Sequence, residues 1–162
     1  MQDDFLEKIV PRRVTPASRL CQAAVLLAAA VVILLGLLFA GAFVGTVIVL
    51  AAGWGAWKLI QRQQVEYEYA VTSGELDVDV IYAQQSRKHL LTVAPGHVEA
   101  LEPWKGGRID GGIKVIDCTS GAGAQGCWRL LYRQQGQRCA LLFEPSDAMV
   151  VSIRKYSAVR RG

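Results

Sequence analysis

Charge is absent from 38 consecutive residues, Leu20 to Trp57, of a chain of 162. A wholly soluble chain has no use for such a run, and it accounts for the 52 % hydrophobic composition. No acid or base lies in this stretch, and its one amide, Gln22, sits at the very start, which excludes an ion or proton path of its own. Histidine is scarce too, with only His89 and His97, and neither sits with a Ser, Cys or carboxylate in a recognisable catalytic motif. The four cysteines, Cys21, Cys118, Cys127 and Cys139, lack the clustered Cys/His spacing of a zinc site. A basic excess is missing where nucleic-acid binding would need it. Residues 63–162 carry twelve Lys/Arg against eleven acids, while residues 1–62 carry six against three. The net charge of +4 therefore belongs largely to the flanks of the apolar run, and no nucleic-acid partner is expected.

As one helix the run would be about 57 Å long, nearly twice a bilayer core of about 30 Å. Two helices fit better, with a turn near Leu38–Gly41 where Gly36 and Gly41 relax the backbone. A shallow re-entrant hairpin is the alternative. Ala40-Gly41-Ala42 has the form of a signal-peptidase site, but the first arm exceeds a signal core of about 7–15 residues and a second arm follows at once. Lys8, Arg12, Arg13 and Arg19 precede the first arm, Lys58 and Arg62 follow the second, and the turn has no positive charge. The positive-inside rule then puts both termini in the cytoplasm and the hairpin in the inner membrane as a multi-pass anchor. Trp54 and Trp57 beside Lys58 form an interfacial anchor, so Arg12, Arg13, Arg19, Trp54, Trp57, Lys58 and Arg62 make up the membrane-interface set. Gly41 and Gly45 form a GxxxG pair, read as close packing of one arm on the other, with homo-oligomerisation as the alternative use.

The flanking segments divide the chain into a cytoplasmic lead-in (1–15), a two-helix hairpin (16–62) and a β domain (63–162). In the lead-in, Phe5, Leu6, Ile9 and Val10 fall at helical spacing, so 3–10 reads either as a short amphipathic helix or as a frayed terminus. Thr15-Pro16 starts the first arm as N-cap and first helical position. In the domain, Val65, Tyr67, Tyr69 and Val71 alternate with Glu66 and Glu68, Ser73-Gly74 signals a tight turn, and Leu76, Val78 and Val80 resume the alternation. Five more strands are expected at 87–94, 97–101, 112–118, 127–134 and 138–144, giving seven. Pro145-Ser146-Asp147 then starts a helix over 146–160, with Ser146 as N-cap and Met149, Ile153 and Tyr156 on one face.

About seven antiparallel strands closed by one C-terminal helix resemble the pleckstrin-homology (PH) plan. The segment EYEYAVTSGELDVDVIYAQQSRKHL and the FEPS helix start resemble bacterial PH-like domains that follow a pair of membrane helices. The whole chain resembles a family of small bacterial membrane proteins built this way. The fold class is thus a membrane α-helical hairpin plus a mainly-β PH-like domain. The resemblance implies an interaction or scaffolding module, with no reaction and no cofactor, that meets the lipid bilayer and a protein partner. Relatives of this type carry a basic run after the second strand; here Ala83-Gln84-Gln85-Ser86 precedes only Arg87-Lys88, the candidate pair for anionic lipid or partner binding.

Gly121 to Gly126 formally matches G-x-G-x-x-G, but the strand-like CWRLLYRQ follows where a helix N-terminus is required, so it reads as a hairpin loop. Cys118 and Cys127 flank that loop. A cytoplasmic location argues for free thiols; a redox-sensitive cross-strand pair is the sharper alternative if the two strands form a hairpin. Arg129, Arg133 and Arg138 join Arg87-Lys88 in one basic patch only if their strands adjoin.

Overall fold

A computed structural model describes residues 5–13, 16–39, 41–61, 63–109, 111–121 and 124–157. The chain divides into two compact units: Arg13–Val65, and the segments up to Arg12 and from Glu66 onward taken together.

The helical unit contains α1 (Pro16–Phe39) and α2 (Gly41–Gln61), of 24 and 21 residues. At about 1.5 Å per residue these are roughly 36 and 31 Å long, and both are apolar enough to cross a membrane. The reversal falls at Gly41, with φ +71°, while Gly36 lies inside α1. The arms approach closely at Gly36 and Gly45. A Cβ on Gly36 would lie 2.8 Å from Ile48 Cγ2, and one on Gly45 3.3 Å from the Gly36 carbonyl oxygen. Gly41 faces open space, so the Gly41/Gly45 pair is split: Gly45 serves the contact between the arms and Gly41 the turn. Leu27, Leu38, Phe39, Phe43 and Leu50 are exposed, which suits hydrocarbon rather than water.

The other unit begins before the helices. Phe5–Pro11 forms β1, antiparallel to β2 (Val65–Thr72), in register from Phe5 opposite Thr72 to Pro11 opposite Glu66. Over the described residues this pairing replaces both readings of 3–10, the short amphipathic helix and the frayed terminus. Val10 is buried while Ile9 is half exposed, the period-2 alternation of a strand. Seven residues cannot hold an isolated helix, whereas a waiting β2 edge supplies a full ladder of hydrogen bonds.

β1, β2, β3 (Glu75–Tyr82) and β4 (Ser86–Val93) lie in that order in one sheet. Ser73 and Gly74 connect β2 to β3 with φ of 50° and 82°, both positive as a two-residue hairpin turn demands. A Cβ on Gly74 would also fall 2.3 Å from Tyr156 Cβ, so only glycine fits beneath the last turn of the C-terminal helix.

The second sheet has the order β5 (Val98–Pro103), β7 (Trp128–Gln134), β8 (Gln137–Phe143), β6 (Lys114–Asp117). All seven expected strands are present, and β1 makes eight. The correction is β6, which runs parallel to β8 with Val115 opposite Ala140. The tight Gln135-Gly136 turn zips β7 to β8, and β5 takes the other side of β7, leaving β6 the free edge of β8.

The core is Tyr69, Tyr132, Phe143, Leu76, Leu130, Leu141, Met149 and Ile153, all buried. The Tyr69 and Phe143 rings meet edge to face, with centroids 5.6 Å apart. α3 (Asp147–Tyr156) closes it, with the Ser146 hydroxyl accepting from the Met149 amide at 3.3 Å. This helix, expected to reach 160, ends at Tyr156. Ser157 is already extended, its amide making the last bond to the Ile153 carbonyl; residues 158–160 lie outside the described residues.

Candidate functional site: the charged face of the first sheet

Side chains alternate along β1–β4, so one face builds the core and the other carries Phe5, Glu7, Ile9, Glu66, Glu68, Asp77, Asp79, Arg87, His89 and Thr92. A bulge between Val78 and Asp79 keeps this set together: Asp77 pairs with Thr92 and Asp79 with His89, and Leu90 is the extra residue of β4. The result is an open cleft of about 430 Å³ lined by Phe5, Ala70, Arg87, His89 and four of the acids.

Its central group is Glu68. The residue is only 5 % exposed, ion-paired with Arg87, whose guanidinium also reaches Asp79 at 3.8 Å. Burial pushes the Glu68 carboxyl above its usual range, and a hydrogen bond with Glu7 pushes the same way; Arg87 opposes both. The sequence pattern placed Glu68 on a solvated face. What covers it comes from β4 and from β1, and β1 was not recognised as a strand.

A second row runs along β3 and β4. His89 Nδ1 lies 2.8 Å from Asp79 Oδ1 and its Nε2 lies 3.1 Å from Thr92 Oγ1. Acid, imidazole and hydroxyl are thus in the connectivity of a nucleophilic triad. The hydroxyl has a single proton, however, and donates it to Asp77 Oδ1 at 2.5 Å. The imidazole has no hydroxyl proton to take, so the row is a hydrogen-bonded brace rather than an activated nucleophile.

The expected basic residues do not converge. Arg87 pairs with Ile81 and Lys88 with Val80, so the two cations leave opposite faces of β4 and form no joint patch. Arg133 and Arg138 do face each other across β7 and β8, but both bond Glu99, at 3.1 and 2.9 Å, and Arg129 bonds Glu102 at 2.7 Å. The strands adjoin, and two glutamates offset two of the three arginine charges. Glu99 is correspondingly held below its usual range, first by its hydrogen bond from Arg138. Arg12 donates to the Tyr67 hydroxyl at 3.2 Å. In the helical unit Arg13 and Arg19 are exposed, Trp54 and Trp57 are exposed, and Lys58 Nζ sits 5.7 Å from the centre of the Trp57 ring. Arg62 lies outside the described residues.

Cys118 and Cys127 are both buried and free. The hairpin that would set them opposite one another is not formed. Cys118 bonds the β8 backbone at Leu142 from one side, and Cys127 adjoins Trp128, which pairs with Phe143 from the other. With β8 between them the backbones stand about 9.5 Å apart, beyond the reach of a disulfide. Burial pushes the thiols up to about 12 and about 11, so neither supplies thiolate at neutral pH. Cys21 accepts from the Gln63 amide at 3.6 Å, within the helical unit. Among the described residues no group of three or more His, Cys, Asp or Glu could hold a metal ion.

Two sheets with one C-terminal helix over the core define a PH-like domain. The chain matches the family described as bacterial PH-like domain (DUF6106) over residues 2–160, and it belongs to that family. The match covers β1 and both apolar helices as well as the domain. No curated protein and no solved structure matches the chain.

Proposed function

We propose that this protein is a non-catalytic, membrane-anchored interaction module, its PH-like domain and both chain ends on the cytoplasmic side of the inner membrane, binding or scaffolding a protein partner there. The observation that carries the reading is the pairing of β1 with β2 across the helical hairpin. Strands in one ladder share one compartment, so the segment between them crosses the bilayer an even number of times. The two helices provide two crossings. Arg12, Arg13, Arg19 and Lys58 at the flanks, with no positive charge at the turn, favour the cytoplasm as that compartment.

Green fluorescent protein fused at either end and alkaline phosphatase inserted at Ala40 test the orientation. Fluorescence from both ends with phosphatase activity at the turn is expected; a dark fusion at either end, or an inactive phosphatase at the turn, overturns it. For the partner, cross-linking in intact cells followed by purification in detergent is expected to recover the same protein from independent cultures, and recovery of none refutes the scaffolding role. Lipid recognition through Arg87 and Lys88 has no support from the geometry, since Arg87 is engaged by Glu68 and Asp79 and Lys88 leaves the other face.

A further inference from the structure

Most cations of the PH-like unit are spoken for. Lys8 reaches the Pro145 carbonyl, Arg12 the Tyr67 hydroxyl, Arg87 two acids, Arg129, Arg133 and Arg138 their glutamates, and Arg154 both the Leu101 carbonyl and the Trp128 ring. Among the described residues of this unit, Lys88, Lys105, Arg108 and Lys114 have no hydrogen-bond, ion-pair or ring partner. Three of these four fall within ten residues, Lys105 and Arg108 on the segment joining β5 to β6 and Lys114 at the first position of β6, and all three are exposed. Elsewhere in this unit every described cation but Lys88 meets a carbonyl, a hydroxyl, an acid or a ring. Here the three meet none.

The same segment carries Trp104, Ile109 and Ile113, each half-buried, and Val115, 44 % exposed beside Lys114. Its root is rigid. The Trp104 amide donates to the Cys127 carbonyl at 2.7 Å, and Arg129 stacks 4.9 Å from the centre of the Trp104 ring. Beyond that root Gly106 and Gly107 take φ of 90° and 136°, a backbone path that glycine follows without strain. Asp110, outside the described residues, leaves the segment at a formal +2.

We infer that the β5–β6 segment is a second membrane contact, in which Lys105, Arg108 and Lys114 engage an anionic bilayer surface while Ile109 and Ile113 settle at its interface. Basic residues alternating with large apolar ones, on a glycine-bearing loop with an aromatic root, have the chemistry of an interfacial segment. Tethering makes the encounter intramolecular, so a modest intrinsic affinity suffices. The inference rests on the membrane anchoring proposed above. It adds a lipid-sensitive element that the hairpin, which has no charge between its flanks, does not supply.

The test uses the full chain in nanodiscs, with a nitrobenzoxadiazole fluorophore on Ile109→Cys in a Cys21→Ala background. A blue shift is expected in discs containing phosphatidylglycerol and not in pure phosphatidylcholine, with reversal in about 1 M salt, where screening acts over roughly 3 Å. Each basic residue near an anionic surface contributes a factor of about five, so Lys105→Gln/Arg108→Gln/Lys114→Gln should lower the docked-to-free ratio on the order of 100-fold. Identical emission of the parent chain in the two lipids overturns the inference without any variant. So does a shift that survives the triple substitution, or recruitment of an acidic protein to the loop with no lipid response. Co-flotation with neutral lipid separates the two readings: a chain that fails to float refutes the anchor, and one that floats without a lipid-dependent shift refutes only the docking loop.

Discussion

Lysine placed at Val10 and lysine placed at Ile9 should have opposite consequences, although the two residues are neighbours. Val10 is 6 % exposed on the core face of β1, and Ile9 is 49 % exposed on the outer face, opposite Glu68. Val10→Lys loses the burial of a valine, about 1.5–3 kcal/mol, and forces an ammonium toward the core. A total of about 3–5 kcal/mol is expected. Ile9→Lys sets a cation beside an acid-rich face and should stay within about 0.5 kcal/mol of the parent. For a domain near 100 residues, about 3 kcal/mol corresponds to a drop of at least about 12 °C in Tm. Near-UV circular dichroism of detergent-solubilised protein, with pulse proteolysis as a second probe, measures the difference. If β1 merely detaches, cleavage after Lys8 or Arg12 reports it directly. Equal effects of the two substitutions would refute β1 as a strand of the domain and, with it, the argument that domain and N-terminus share a compartment.

Two further outcomes follow from the ionisable groups. The folded state holds the Glu68 proton more tightly than the unfolded chain, so this group's stabilisation is fully present below the ordinary carboxylate value of 4.5 and is lost as pH rises through the higher folded value. Glu68→Gln should flatten that fall in Tm with pH, and a parent whose stability is indifferent to Glu68→Gln across the window contradicts the burial. Cys118 and Cys127 should resist alkylation at pH 7 until the domain unfolds, and oxidant should leave them unpaired; a Cys118–Cys127 disulfide found by mass spectrometry in the folded chain would disprove the strand order.

Much of the fold was legible because its signals are local. Alternation in Val65–Thr72 and Glu75–Tyr82, the Ser73-Gly74 turn and the Ser146 cap each rest on residues within a few positions of one another, and each formed where expected. What escaped depends on distant partners. Phe5–Pro11 has apolar spacing that suits a helix as well as a strand, and only Val65–Thr72, more than fifty residues away, decides the matter. The parallel placement of β6 likewise depends on which strand edges remain after β7 has paired on both sides. The charged face was only half legible. Its residue types could be read, but the engagement of Arg87 and the burial of Glu68 needed the neighbours from β1 and β4.

The interruption of the sheet between Pro11 and Glu66 also sets an order of events at the ribosome. β1 is made first and has nothing to pair with until Glu66–Thr72 emerges, some 55 to 67 residues later. At roughly 5–20 residues per second that is a wait of several seconds, during which both apolar helices leave the ribosome. The domain therefore cannot be completed before both apolar helices have been made. On the anchored arrangement proposed above, a chain that threaded only one helix would hold β1 on the far side and leave the β2 edge open.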